Sequence, residues 1–254
     1  MGESWIDSYY EALEFFFWEP QHLGRNKRTN TEFDTIEKAN AHLRRMEVTL
    51  NHNLSQFFML APTALRNALF EELFFETFER RFRLHGRGVD TEFELSNAVQ
   101  PDLLFVADEE LVSIEMKVGA KSSVSQVLKY ALLGLAGEMH VGAPRRHFLI
   151  FLGPGQFSDQ WREKFSSSAD LRRAISSTDM ALFLQKQPVR FREYQARFND
   201  IVLNMRIEFI NYPCLAAFLR RASPTGVDDS PGAEVYRKLI SGLVGELSRR
   251  QLAA

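Results

Sequence analysis

The sequence predicts an α/β protein in which a mixed central sheet lies between helices, and three observations carry that prediction. Residues 99–106 and 111–118 are short apolar segments on either side of the acidic turn Asp108-Glu109-Glu110, as in the two strands of a hairpin. Helical periodicity follows from Ser123 to about Met139. A continuous apolar run, residues 147–153, then has the composition of a strand buried on both faces. Strand, long helix and strand make a crossover, which joins parallel neighbours, whereas the hairpin is antiparallel. Helical segments at both ends of the chain flank this core.

In chain order, residues 1–60 form a helical accessory segment. Trp5, Tyr9, Leu13, Phe16 and Phe17 recur at helical spacing, and Glu19-Pro20 ends that helix. The cluster Phe15-Phe16-Phe17-Trp18 is apolar on more than one side, so it is either buried or a partner surface. Residues 24–30 make a basic, turn-rich loop, solvated or in contact with phosphate. A second helix spans about 35–51, with Ile36, Ala39, Leu43, Met46 and Leu50 on one face.

Residues 61–222 form the main domain. Thr63 is placed to cap a helix over about 64–84, whose apolar face holds Leu65, Leu69, Leu73, Phe74, Phe78 and Phe82. Glu71, Glu72, Glu76 and Glu79 lie along it, each facing either solvent or a cleft. Arg80, Arg81, Arg83 and Arg87 suit a helix C-terminus. His85-Gly86-Arg87-Gly88 breaks the helix, and residues 91–96 alternate as a first strand. After the hairpin, long helix and apolar strand, helical patterns recur over 156–164, 169–184 and 191–201. Residues 205–210 alternate as a further strand, and Pro213 suits the first turn of a helix reaching Leu219. Residues 223–254 are a flexible linker, SPTGVDDSP, and an amphipathic C-terminal helix.

Composition narrows the function. With 45% hydrophobic and 25% charged residues this is ordinary globular composition, and a net charge of −2 gives no global basic field. Cys214 is the single cysteine, which excludes an internal disulfide framework and a cysteine-ligated cluster and favours the cytosol. No apolar run is long enough to cross a membrane and no basic-then-apolar leader opens the chain, so a cytoplasmic, membrane-free protein is expected. The six histidines show no zinc-ligand spacing, and no phosphate-binding glycine motif or G-x-S-x-G element is present.

The chemistry concentrates in the hairpin. Glu115 and Lys117 are two apart on a strand and project from one face, while Met116 points into the opposite layer. The hairpin can bring Asp102 to the same place. Two converging carboxylates repel each other unless a divalent cation is shared, and oxygen-only ligation suits Mg²⁺ or Mn²⁺. A lysine beside that cation can position or deprotonate water, or stabilise charge developing on phosphate. These are the parts for hydrolysing a phosphodiester. Gln126 and Tyr130 follow at i,i+4 on the next helix and share a face. Lys121 is either a contact to a nucleic-acid backbone or an ordinary exposed loop lysine.

At Pro101-Asp102, Glu115-Met116-Lys117 and the Q-x-x-x-Y spacing of Gln126 and Tyr130, the chain resembles the PD-(D/E)XK nuclease superfamily, in its RecB-type branch. The resemblance covers roughly residues 65–153. It implies a restriction-endonuclease-like α/β/α sandwich and a divalent-metal-dependent nuclease acting on DNA, with RNA as the alternative substrate. It further implies that Asp102, Glu115 and the Met116 carbonyl ligate the metal and that Lys117 acts on the water or the transition state. Gln126 and Tyr130 orient the substrate in this reading. A glutamate on the helix before the sheet belongs to the family pattern, with Glu72 and Glu76 as joint candidates here. A homodimer or an accessory protein is the expected protein partner. Two rival expectations stand beside it: an inactive nuclease-like fold serving as a binding module, and a plain α/β domain in which Glu115 and Lys117 are an exposed cross-face pair.

Overall fold

The structure is a computed structural model that describes residues 4–18, 36–78, 81–85, 101–224 and 230–253. In chain order it contains helices α1 (Trp5–Trp18), α2 (Ile36–Arg45), α3 (Glu47–Leu60) and α4 (Thr63–Phe74), then strands β1 (Arg83–His85), β2 (Leu103–Val106) and β3 (Glu110–Met116). Helix α5 (Val124–Val141) and strand β4 (Arg146–Gly153) follow. Helices α6 (Ser168–Ser176), α7 (Met180–Gln185) and α8 (Gln195–Asn204) lead to strand β5 (Arg206–Asn211), and helices α9 (Tyr212–Ala222) and α10 (Pro231–Arg249) close the chain. The chain divides into two units, one joining Met1–Ala61 with Tyr212–Ala254 and the other comprising Pro62–Asn211. No helix among the described residues is long and apolar enough to cross a membrane.

The first unit is helical and built around a buried carboxylate. Glu246 of α10 is fully buried, yet it accepts from the Tyr10 hydroxyl at 2.7 Å and from Arg250 Nε at 2.8 Å and is paired with Arg44. Arg250 also donates to the Met46 carbonyl at 3.1 Å and to Thr49 at 2.8 Å. A charge taken out of water is tolerated only when paired and hydrogen-bonded in this way.

The second unit holds the mixed sheet, with strand order β1-β2-β3-β4-β5. β1, β2 and β3 are antiparallel neighbours, while β3, β4 and β5 are parallel. Side chains alternate between its faces. On one face Leu104, Leu111, Leu149 and Phe151 pack with Val127, Leu128, Ala131 and Leu135 of α5, and with Phe198 and Val202 of α8. On the other, α4 and the segment that follows it cover the sheet through phenylalanines: Phe70 meets Phe105 at 5.4 Å between ring centroids, and Phe74 and Phe78 meet Phe148 at 4.9 and 5.0 Å. Helices on both faces are why β2 and β4 read as nearly unbroken apolar runs. Gly134 of α5 leaves no space for a β-carbon against the His147 ring, 2.7 Å away, so this glycine sets how closely α5 approaches β4.

Several element boundaries differ from the sequence expectation. The helix expected over 64–84 stops at Phe74, because Phe75 takes a left-handed conformation (φ 55°) that ends it, and residues 83–85 form an edge strand against β2. The helix expected over 35–51 breaks at Met46, whose extended backbone separates α2 from α3. The stretch 156–164 contributes only a 3₁₀ turn, Phe157–Gln160. The stretch 169–184 is two helices, the second capped afresh by Asp179. Gly142, at φ 74°, carries α5 two residues beyond Met139 before capping it. The strand expected at 91–96, the loop at 24–30 and the side chains of Phe15 to Trp18 lie outside the described residues.

Candidate active site

Strand register brings the two acids together. Leu103 lies opposite Ile114 and Leu104 opposite Ser113, so one further step sets Asp102 opposite Glu115. Directly opposed residues of an antiparallel pair share a face, here the one covered by α5. The hairpin that enforces this register turns tightly, the Ala107 N–H donating to the Glu110 carbonyl at 2.9 Å. Asp102 is fixed in turn, because its Oδ2 accepts the Met116 N–H at 2.7 Å.

Helix α5 completes the site. Glu115, only 4% exposed, accepts at Oε1 from Gln126 Nε2 and at Oε2 from the Tyr130 hydroxyl at 2.5 Å. Lys117 Nζ lies 2.6 Å from Oε1, and its backbone N–H donates to the Leu152 carbonyl at 2.8 Å, which ties the residue to β4. Glu115 is buried and the Lys117 side chain is only 12% exposed, which overturns the exposed-pair expectation. Burial, first, and then the charges of Glu115 and Asp102 push the Tyr130 phenol far above the usual tyrosine range, with the Tyr130 hydrogen bond to Glu115 adding and the Asp102 backbone opposing. Tyr130 is consequently a hydrogen-bond donor at any physiological pH.

Gln126 and Tyr130, expected to orient substrate, each donate one hydrogen bond to Glu115. One correction concerns the helix glutamates. Glu72 and Glu76 do not join the site. Glu72 is exposed on α4, which covers the opposite face of the sheet. Glu76 lies beyond the end of α4 and pairs with Arg146 and Arg206 at the N-terminal ends of β4 and β5. The short helix that results from the Phe75 cap is what carries it there. Lys121 is exposed in the loop between Lys117 and α5, as expected of either reading.

Sequence reasoning missed the support beneath that loop. Buried Ser122 donates its N–H to the Gln160 carbonyl at 2.7 Å, accepts the Arg162 N–H at 2.9 Å and receives the Gln160 side-chain amide at 3.0 Å. Gly153 leaves room for that amide where a β-carbon would clash with it. No motif marks Gln160. Its neighbour Trp161, packed on Phe151 at 4.7 Å, was the readable signal of a buried turn.

The donor set fits a hard divalent cation. Asp102 and Glu115 offer carboxylate oxygens and Met116 a backbone carbonyl, all oxygen donors. Among the described residues there is no group of three or more His, Cys, Asp or Glu suited to a metal. A two-carboxylate site leaves remaining coordination to water and substrate phosphate, the usual arrangement for Mg²⁺. Comparison with known proteins yields no matching family model, no matching curated protein and no matching solved structure.

Proposed function

We propose that the unit Pro62–Asn211 is a metal-dependent phosphodiester hydrolase, more specifically a nuclease of the PD-(D/E)XK kind with a restriction-endonuclease-like sandwich, acting on DNA. The observation that carries the reading is the convergence of Asp102, Glu115 and Lys117, with Gln126 and Tyr130 of α5 braced on Glu115. Asp102, Glu115 and the Met116 carbonyl are the groups that would hold Mg²⁺ or Mn²⁺, whose chemistry is to polarise a phosphoryl oxygen and to lower the pKa of a bound water. Lys117 adds a positive charge beside the same carboxylates and stabilises negative charge developing on the phosphate or moves the proton of the attacking water. Tyr130 and Gln126 keep the Glu115 carboxylate in one orientation, so that little reorganisation accompanies the reaction. RNA is the alternative substrate, and a second copy or an accessory protein the expected protein partner.

The three partners of Glu115, Gln126, Lys117 and Tyr130, also support a second reading, an inactive nuclease-like binding module in which these groups are purely structural. Cleavage of single-stranded, linear and supercoiled DNA in Mg²⁺ or Mn²⁺, beside EDTA controls, separates the two. Lys117→Ala and Asp102→Ala are expected to lower the cleavage rate by about 10²- to 10⁴-fold while leaving the circular dichroism spectrum unchanged. Undiminished cleavage by either variant would overturn the assignment. Absence of cleavage on every substrate, with no calorimetric Mn²⁺ binding lost in Asp102→Ala, would favour the binding module.

A further inference from the structure

The opposite ends of the same strands hold a second charged constellation. β4 begins at Arg146, which lies opposite Glu110 at the start of β3, and β5 begins at Arg206. Glu110 and Glu115 are five residues apart on one strand, about 16 Å at the usual rise, so this end is separate from the carboxylate site. A cavity with room for about 240 Å³ lies here, lined by Arg145, Arg146, Arg197 and Arg206 together with His147, Glu76 and Asp200.

Glu76 indicates what such a cavity can hold. Its carboxylate is gripped by two guanidinium groups, one oxygen by Arg146 at 2.7 Å and the other by Arg206. Phosphate offers the same pair of oxygens, a third acceptor besides, and up to twice the charge. Planar guanidinium groups suit it better than any other side chain. Two of the arginines are fixed from behind by buried acids, Arg146 by Glu110 and Arg197 by Glu138 at 2.6 Å. Their donors are thus arranged before a ligand arrives. Arg146 and Arg206 are 56% and 41% exposed, which leaves them open to an anion from solution. The cavity wall itself carries four arginines against the two carboxylates Glu76 and Asp200.

We infer that this cavity is an anion site for a phosphate monoester, and that Glu76 is the resident competitor an incoming phosphate displaces from Arg146 and Arg206. The ligand is a free nucleotide or the phosphorylated end of a nucleic-acid strand, which share the recognised group. Displacement of Glu76 frees the donors of Arg146 and Arg206 that held it, and a phosphate offers them more acceptor oxygens than the carboxylate did.

Calorimetric titration with AMP, with a 5′-phosphorylated trinucleotide and with its unphosphorylated counterpart tests this. EDTA is kept present throughout so that no metal recruits phosphate to Asp102 and Glu115. Glu76→Gln is expected to bind the phosphorylated ligands about fivefold more tightly than the unsubstituted chain, and Arg206→Lys about tenfold more weakly. Asp102→Ala is expected to bind them unchanged. Tighter binding of AMP identifies the free nucleotide as the ligand, and tighter binding of the trinucleotide identifies the strand end. No binding to Glu76→Gln at millimolar ligand, equal binding of the unphosphorylated trinucleotide, or an Arg206→Lys affinity equal to that of the unsubstituted chain would overturn the proposal. Arg206→Lys keeps the charge, and a circular dichroism melt on each variant shows that the comparison is between folded proteins.

Discussion

Glu115 concentrates the electrostatic tension of the sheet in one residue. A carboxylate this deeply buried forfeits several kcal/mol of hydration, and only close partners offset the loss. Gln126, Tyr130 and Lys117 provide them, with two of the three delivered by a single turn of α5. Tyr130→Phe removes one donor without changing the ring that packs in the core, and it is expected to destabilise the chain by about 1–3 kcal/mol in urea unfolding. The same variant tests the phenol's ionisation. A group whose pKa is raised on folding contributes stability that is complete below its unfolded pKa and is lost as pH climbs toward the folded one. Tyr130 should therefore resist ionisation in an ultraviolet pH titration well past the ordinary tyrosine range, within a late-titrating fraction that includes Tyr10 and Tyr236, whose burial also raises them. In Tyr130→Phe that late fraction is expected to shrink by one tyrosine; a fraction of unchanged size would contradict the assignment. At this scale the sequence was informative about identity and silent about partnership. The E-x-K and Q-x-x-x-Y spacings placed Glu115, Lys117, Gln126 and Tyr130 on shared faces, but that α5 turns its polar pair onto Glu115 depends on how helix and strand pack.

Helix termination decided which glutamate went where. The apolar face of α4 continues in sequence through Phe78 and Phe82, so periodicity alone extends the helix to Leu84. The chain instead turns at Phe75 with φ 55° and ψ 36°, and Phe78 and Phe82 still reach the core, Phe70 meeting them at 5.7 and 5.4 Å. Packing of those rings against Phe105 and Phe148 thus outweighs the few additional helical hydrogen bonds. A left-handed phenylalanine costs roughly 1–2 kcal/mol, and this one is 90% exposed, so its ring returns little. Phe75→Gly is expected to raise stability by about 0.5–1 kcal/mol in chemical denaturation, because glycine occupies that conformation freely. A loss of stability would show that the exposed ring has a role in the fold.

On the scale of the molecule, a buried carboxylate anchors each unit, Glu246 among the helices and Glu138 beneath the sheet. Glu138 of α5 accepts from the Arg145 N–H and from His147 Nε2, both at 2.8 Å, and from Arg197 of α8 at 2.6 and 2.7 Å. Burial would raise its pKa, yet the hydrogen bonds from Arg197, His147 and Arg145 outweigh that and lower it from 4.5 to about 2. A depressed carboxyl contributes stability that is full above its unfolded pKa and disappears as pH falls through the folded one. The stability difference between the unsubstituted chain and Glu138→Gln should accordingly be constant at neutral pH, shrink below about pH 4.5 and vanish near pH 2 in urea titrations across that range. A difference that does not change with pH would mean that Glu138 is not the titrating group. The division into units is itself a tertiary matter. Linker composition separates residues 223–254 from what precedes them, whereas packing joins Tyr212–Ala254 with Met1–Ala61.

By itself the sequence determined the α/β class, the hairpin, the crossover through α5 and the residues of the candidate site, because all of these are encoded by periodicity and short spacings. Period-two alternation set Glu115 and Lys117 on one face, and period 3.6 did the same for Gln126 and Tyr130. Tertiary structure alone decided the one-step register that sets Asp102 opposite Glu115, the burial of Glu115 beside a mostly covered Lys117 and the removal of Glu72 and Glu76 from the site. It also gathered Arg146, Arg197 and Arg206, up to 60 residues apart in the chain, around one cavity. The physical reason is range. Hydrogen bonds within a turn or along a strand depend on neighbours a few residues away, whereas desolvation and charge pairing depend on which distant side chains the packed core brings within a few ångströms.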